Sequence, residues 1–385
     1  MSSHRTQAVQ APIIPIINQW VKDTPETISL GQGVAYYHPP EQAFQHLQQQ
    51  LQTGHCDLYG PVEGLPTLQS ALQDKLNTRN NIQIDDNSCV FVTAGSNMGF
   101  SSLMLALTDP DDEIILLTPY YFNHEMAIKL ANARPVCVPT RADFHPDIEL
   151  IEHAITKKTR AVVTVSPNNP SGAVYTQQEL TAINKLCEIH GIYHITDEAY
   201  EDFVYDQHQH FSVASLPNAQ GHTISLYSMS KAYGFAGWRV GYMVIPKSLF
   251  LAMKKVQDTV LISPPIISQL AAIGAHQAPY EFIRYKLKVI QHSRKICLDT
   301  LNHSGLLLQE AYSEGAFYIF AKLNNHMDDL TLAKTLIQQH GIATIPGSAF
   351  AAPEGTYLRV SYGALTSENV ELGIKKLTAG LKALS

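Results

Sequence analysis

From about residue 90 to 245, short apolar runs rich in β-branched residues alternate with stretches of helical spacing. The runs are CVFVTA, EIILLT, PVCVPT, RAVVTVSP, IYHITDEA, TISLYS and RVGYMVIP, and helix spacing is carried by GFSSLMLAL, NHEMAIKLAN and QQELTAINKLCEIH. Strands that are apolar on both faces and separated by helices predict a mostly parallel sheet covered on both sides. Such a sheet takes its ligands beyond the carboxyl ends of its strands. The chemically unusual residues stand at those ends: Gly95 and Ser96 after CVFVTA, Tyr120 and Tyr121 after EIILLT, Asn169 after RAVVTVSP, Asp197 in IYHITDEA and Lys231 after TISLYS.

Beyond about residue 280 the pattern changes to a long polar helix, EFIRYKLKVIQHSRKICLDTL, then to strand-like GAFYIFAKL, IATIPG and TYLRVSYG, and to an amphipathic helix from Ser367. This predicts a second, smaller α+β unit, with a cleft between the units as the natural site. The expected organisation is an α/β large domain over 47–280 and a small domain over 281–385. Residues 1–46 are read as an N-terminal arm plus part of the small domain.

Composition narrows the function classes. The 385 residues carry 27 Lys+Arg against 34 Asp+Glu, a net charge of -7, which argues against a nucleic-acid or anionic-membrane surface. The five cysteines are odd in number and never form a C-x-x-C pair, so neither a disulfide framework nor a zinc site is suggested, and a reducing, cytoplasmic compartment fits. The N-terminal apolar cluster is broken by Pro12 and Pro15 and lacks a signal-peptide core or a membrane span. It reads as an arm that docks on something. The run DQHQHF at 206–211 is read as a polar loop, with no metal expected. GQGVAY lacks the third glycine and the preceding buried strand of a dinucleotide loop.

Lys231 lies in SMSKAYGFAGWRVG, residues 228–241. A lysine attacks a carbonyl only when neutral, a form favoured by burial and neighbouring cations. The hydroxyls of Ser228 and Ser230, with Arg239, make a phosphate-binding surface beside it. A lysine beside a phosphate site suggests a phosphorylated aldehyde, and pyridoxal 5'-phosphate meets that description. Its ring nitrogen requires a carboxylate, for which Asp197 in ITDEAY is the candidate. Its ring oxygen requires donors, which Tyr200 and Asn169 can supply. Gly95, Ser96 and Asn97, opening a helix, offer backbone donors to the phosphate, and Tyr121 can cover the ring face. Arg359 in TYLRVSYG can fork onto an amino-acid carboxylate from the smaller unit.

Taken together, SLGQGV (29–34), YGPVEGLPTLQSAL (59–72), TAGSNMGF (93–100), SPNNPSG (166–172), ITDEAYEDF (195–203), SMSKAYGFAGWRVG, EGAFYIF (314–320) and TYLRVSYG (356–363) make the chain resemble the class I/II aminotransferases. These are pyridoxal-phosphate enzymes of fold type I, similar to aspartate aminotransferase. The resemblance implies that Lys231 carries the cofactor and moves the α-proton, that Asp197 pairs with the ring nitrogen, and that Tyr200 and Asn169 hold the ring oxygen. It gives the phosphate to Ser96, Asn97, Ser228, Ser230 and Arg239, and the substrate carboxylate to Arg359 and the backbone of Gly33. Tyr59 resembles the tyrosine that reaches the neighbouring subunit's phosphate, which implies a homodimer with shared sites and an arm packed on the partner.

The resemblance further implies ping-pong transfer from an L-amino acid to a 2-oxo acid such as 2-oxoglutarate. Some dicarboxylate-specific members carry a lysine where this chain has Asn97. With Tyr36 and Tyr37 after LGQGV, this favours neutral or aromatic donors. The alternatives are a carbon–sulfur lyase or cyclising synthase of the same fold, or a dicarboxylate-specific aspartate aminotransferase.

Overall fold

The computed structural model describes residues 2–385, apart from the side chain of His55. In chain order the strands are β1 Ile28–Ser29, β2 Ser88–Thr93, β3 Glu113–Thr118, β4 Arg134–Pro139, β5 Thr159–Val165 and β6 Tyr193–Asp197, then β7 Thr223–Ser228, β8 Gly241–Pro246, β9 Tyr318–Leu323, β10 Ile342–Ala343, β11 Ile345–Pro346 and β12 Thr356–Ser361. The seven apolar runs of the sequence all become strands of one sheet, in the order β2-β8-β7-β6-β5-β3-β4. Its neighbours pair in parallel except β8, which is antiparallel to both β2 and β7. The exit ends of β2, β3, β5, β6 and β7 therefore share one edge.

Alternation along each strand fills two cores. Ile114 and Leu116 of β3, Val163 of β5 and Ile195 of β6 join Phe100, Leu103 and Met104 of helix Ser96–Leu107 on one face. Ile115, Leu117 and Val162 point the other way, toward Ile183 and Cys187 of helix Gln177–His190. That period of two is the reason the runs read as continuously apolar. Helix Gln177–His190 starts at a capping box between Thr176 and Glu179 and stops at Gly191, whose φ is 64°.

The C-terminal part forms a separate antiparallel sheet, β11-β12-β9. Helix Glu281–Asn302 packs on helix Ser367–Ala383 beside it. The N-terminal segment joins this part: β1 pairs with β10 in parallel, Ile28 opposite Ile342. Part of the predicted arm docks on its own chain, since helix Ile13–Asp23 buries Ile13 and Ile17 and packs on helix Asp329–His340. An amphipathic helix settles wherever apolar surface is nearest, and that surface is intramolecular.

Candidate active site

The strand exits enclose a cavity of about 140 Å³. Lys231 lies across it, on the short helix Met229–Ala232 that follows β7. Its Nζ donates to the Gly33 carbonyl at 2.6 Å. Burial, then the Arg359 guanidinium, pushes the amine down to about 8; Asp197 opposes this and Arg239 adds to it. A substantial neutral fraction therefore exists near physiological pH, as a nucleophilic or basic amine requires.

Asp197, at the end of β6, accepts from the Ala199 amide at 3.1 Å, and its Oδ2 lies 3.1 Å from His124 Nε2. The His124 ring is stacked on Phe100 at 4.1 Å, and its Nδ1 has no partner among the described residues. Tyr121 lines the cavity, with its ring 5.2 Å from His124. Asn169 Oδ1 accepts from Arg359 Nη1 at 2.9 Å, while Arg359 Nη2 donates to the Gly31 carbonyl at 2.8 Å. Arg359 is buried on β12, over the Tyr318 ring at 4.3 Å, and its Nε is buried without a partner among the described residues. The Tyr200 and Tyr318 hydroxyls lie 2.7 Å apart, and burial drives Tyr200 far above the usual phenol range.

The opposite end of the cavity suits an anion. Ser96 and Asn97 begin helix Ser96–Leu107, whose first amides lack helical partners. Ser228, Ser230 and Arg239 also line this cavity, and Arg239 Nη1 donates to the Ala236 carbonyl at 2.8 Å. Gly95 adopts φ of 84°, and a Cβ there would lie 2.3 Å from Arg239 Nη2. Its contribution is to let Arg239 approach the helix start.

Four sequence candidates are not in the cavity lining: Gly95, Arg359, Tyr36 and Tyr59. Tyr36 is outside the cavity lining, its ring 5.2 Å from that of Tyr37 and facing Lys286 at 5.8 Å. Tyr59 is 82% exposed and does not line this chain's cavity. Conversely, His124 and Tyr318 gave no sequence signal. His124 is one of 17 histidines, and its meaning comes from Asp197, which is 73 positions away in the chain but only 3.1 Å away in space.

Outside the cavity, His210 leaves the predicted polar loop to reach Glu198 at 2.9 Å. Glu198, Glu201 and His210 lie within coordinating reach of one another. Lys75 already donates to both Glu201 oxygens, at 2.5 and 2.6 Å, and Ser212 donates to Glu198. A larger cleft of about 530 Å³ is lined by Arg79 and the buried Lys75, which are paired with Asp202 and Glu201.

Residues 25–377 match the sequence model of a family described as aminotransferase class I and II. The chain belongs to that family. It is an aminotransferase with the fold that the sequence predicts, a mostly parallel sheet flanked by helices. It is 34% identical to the aromatic aminotransferase ISS1 of Arabidopsis thaliana, over 100% of this chain and 97% of that one. It is 31% identical to an aspartate/prephenate aminotransferase of Thermus thermophilus, over 98% and 95%. Among solved structures, the Thermus thermophilus aspartate aminotransferase with maleate superposes with a TM-score of 0.91 at 30% identity, covering 99% of both chains. The aspartate aminotransferase from Rhizobium meliloti gives 0.92 at 27%, covering 100% of both.

The donor set fits pyridoxal phosphate. A carboxylate, a phenol, a carboxamide and a primary amine line the cavity together with serine hydroxyls, a helix start and a guanidinium. Arg359, whose Nε is a buried donor with no partner among the described residues, is not in this lining.

Proposed function

We propose that this aminotransferase works with pyridoxal phosphate held by Lys231, and moves the amino group of a neutral or aromatic L-amino acid to a 2-oxo acid such as 2-oxoglutarate in two half-reactions. The observation that carries this reading is Lys231 itself, an amine lining the cavity beside Asp197, Ser230 and Arg239 and pushed down to about 8 by burial and the Arg359 guanidinium. When bound, the cofactor supplies the electron sink that makes the substrate α-proton labile.

The chain's own residues do the rest. Ser96, Asn97, Ser228, Ser230 and Arg239 hold the phosphate, and Asp197, steadied by His124, faces the ring nitrogen. Tyr200 and Asn169 hold the ring oxygen, and Tyr121 covers the ring. Arg359 takes the α-carboxylate with a fork already oriented by Asn169 and Gly31, beside the Gly33 backbone. Lys231 would accept the substrate α-proton as a general base, and the ammonium so formed would give the proton back as a general acid.

Asn97 presents an amide where a cation would serve a distal carboxylate, which supports neutral or aromatic donors. Tyr36 lends that preference no support, because it is outside the cavity lining. Exposed Leu58 and Tyr59 support a homodimer in which Tyr59 serves the partner's phosphate. The small domain is taken as 281–385, joined by part of residues 1–46, and the large domain as 47–280. The five free cysteines fit a cytoplasmic setting, and no helix among the described residues is long and apolar enough to cross a membrane.

The test is a screen of amino donors against 2-oxo acids that follows the visible absorbance of the loaded protein. Transfer from phenylalanine, tyrosine or methionine exceeding that from aspartate supports the reading. Normal transfer by Lys231→Ala, or a strict preference for aspartate, overturns it.

A further inference from the structure

A hydroxyl that the mechanism above does not use reaches the Lys231 turn from outside the cavity. Tyr37 is buried, and its Oη lies 3.2 Å from the carbonyl of Lys231 and 3.1 Å from that of Ala232. Four residues earlier in the chain, the Gly33 carbonyl receives the Lys231 Nζ. One short segment, 33–37, therefore grips Lys231 at both ends, backbone and amine. The contact is close: Gly234, at φ of 69°, has no room for a Cβ, which would lie 2.7 Å from the Tyr37 carbonyl.

The outer side of the segment is held by the C-terminal part of the molecule. The Tyr37 ring meets Phe282 edge to face at 6.0 Å, with Lys286 Nζ 5.4 Å from its centroid, and both partners sit on helix Glu281–Asn302. The Tyr36 amide donates to the Gly363 carbonyl, just beyond the strand that bears Arg359. Burial pushes the Tyr37 phenol far above its usual range, so it remains a donor at every pH the protein meets.

We propose that Tyr37 is a positioning residue for Lys231: its hydroxyl fixes the carbonyls that end the Met229–Ala232 helix, and its ring ties that turn to helix Glu281–Asn302. The lysine side chain is flexible, so its amine is placed only as well as its backbone is held and its tip is caught. The proposal rests on the reading of Lys231 as the reactive amine, but the geometry it describes can be measured without cofactor.

Tyr37→Phe keeps the ring and removes only the donor. In the apoprotein, hydrogen exchange should quicken at the Gly234 amide, which donates to the Lys231 carbonyl, and at the Phe235 amide, which donates to that of Met229, by about tenfold. Exchange in β6 and β7 should stay unchanged. In the loaded enzyme the pH midpoint of the visible absorbance should shift, and kcat should fall about three- to tenfold with KM nearly constant. Tyr285→Phe, on an exposed neighbouring ring, should leave all of these readouts unchanged. Phe282→Ala keeps the hydroxyl but removes its support, and should move the same readouts in the same direction.

Turn exchange and spectral midpoint at wild-type values in both variants overturn the proposal. So does faster exchange spread evenly over β7 and the turn with the midpoint unchanged, which marks lost core packing alone. A Lys231→Ala protein that still transfers amino groups overturns the cofactor reading instead, and leaves the exchange result standing.

Discussion

The Lys231 ammonium is poorly accommodated where it lies, because burial and the Arg359 guanidinium both disfavour the charge. With the folded pKa near 8 and the unfolded value at 10.5, the unfolded chain binds more protons between those limits, so this group makes stability rise with pH across that window. Below pH 8 the cost is fully present. Lys231→Met apoprotein should therefore resist urea better than wild type at pH 7, by about 1–2 kcal/mol after allowing for the lost bond to Gly33 and the group's partial access to water. The gap should close as pH approaches 10.5, and urea titrations at pH 7, 9 and 10.5 check this. At Arg359 the two bonds to Asn169 and Gly31 need a planar fork, so Arg359→Lys should raise KM for the amino donor by about 10- to 100-fold in steady-state kinetics.

Among the elements, the connection from β7 to β8 is decisive. It spans 229–240 with only the short helices Met229–Ala232 and Ala236–Trp238, too little to cross back over the sheet, so β8 returns antiparallel beside β7. That one departure from the parallel pattern lays Lys231 and Arg239 over the strand ends. RVGYMVIP is apolar on both faces and would read alike in either direction, which is why its orientation was not legible in the sequence. Ile195 in β6 is fully buried, and Ile195→Ala should cost about 2–5 kcal/mol in denaturant unfolding.

A second tie between elements is titratable. His145 lies 2.9 Å from Glu179 at the start of helix Gln177–His190 and 3.2 Å from Glu314 on the loop leading to β9. Burial pushes His145 down, but the two carboxylates push it up further, to about 9; Glu179 ends at about 2, its burial outweighed by His145 and the Thr176 amide. The His145 contribution is whole below its unfolded value of 6.5 and is lost as pH rises through 9. That of Glu179 is whole above 4.5 and is lost as pH falls through 2. His145→Gln should thus lower Tm by about 2 °C at pH 6 and hardly at all at pH 10, as read by calorimetry.

At the scale of the whole molecule, Leu58 and Tyr59 stand 66% and 82% exposed beside one another on this chain, a poor arrangement for a monomer. Sedimentation should give twice the 42.6 kDa of one chain. Tyr59→Ala should weaken pyridoxal phosphate retention several-fold while leaving the circular dichroism of the apoprotein unchanged, since the side chain stands 82% exposed on its own subunit.

The sequence by itself determined the layered sheet and the set of residues at its exits, because apolar alternation and turn chemistry are local properties of the chain. Lys231, Asp197, Asn169 and Ser96 were legible for that reason: each follows a strand that announces itself. Only the tertiary structure brought His124 to Asp197, Tyr318 to Tyr200, Tyr37 to the Lys231 backbone and Arg359 to Asn169, the last pair 190 positions apart. Such pairings have no period and no spacing rule. They are fixed by where whole elements pack, and a hydroxyl or imidazole gains its role only from what the folded chain sets against it.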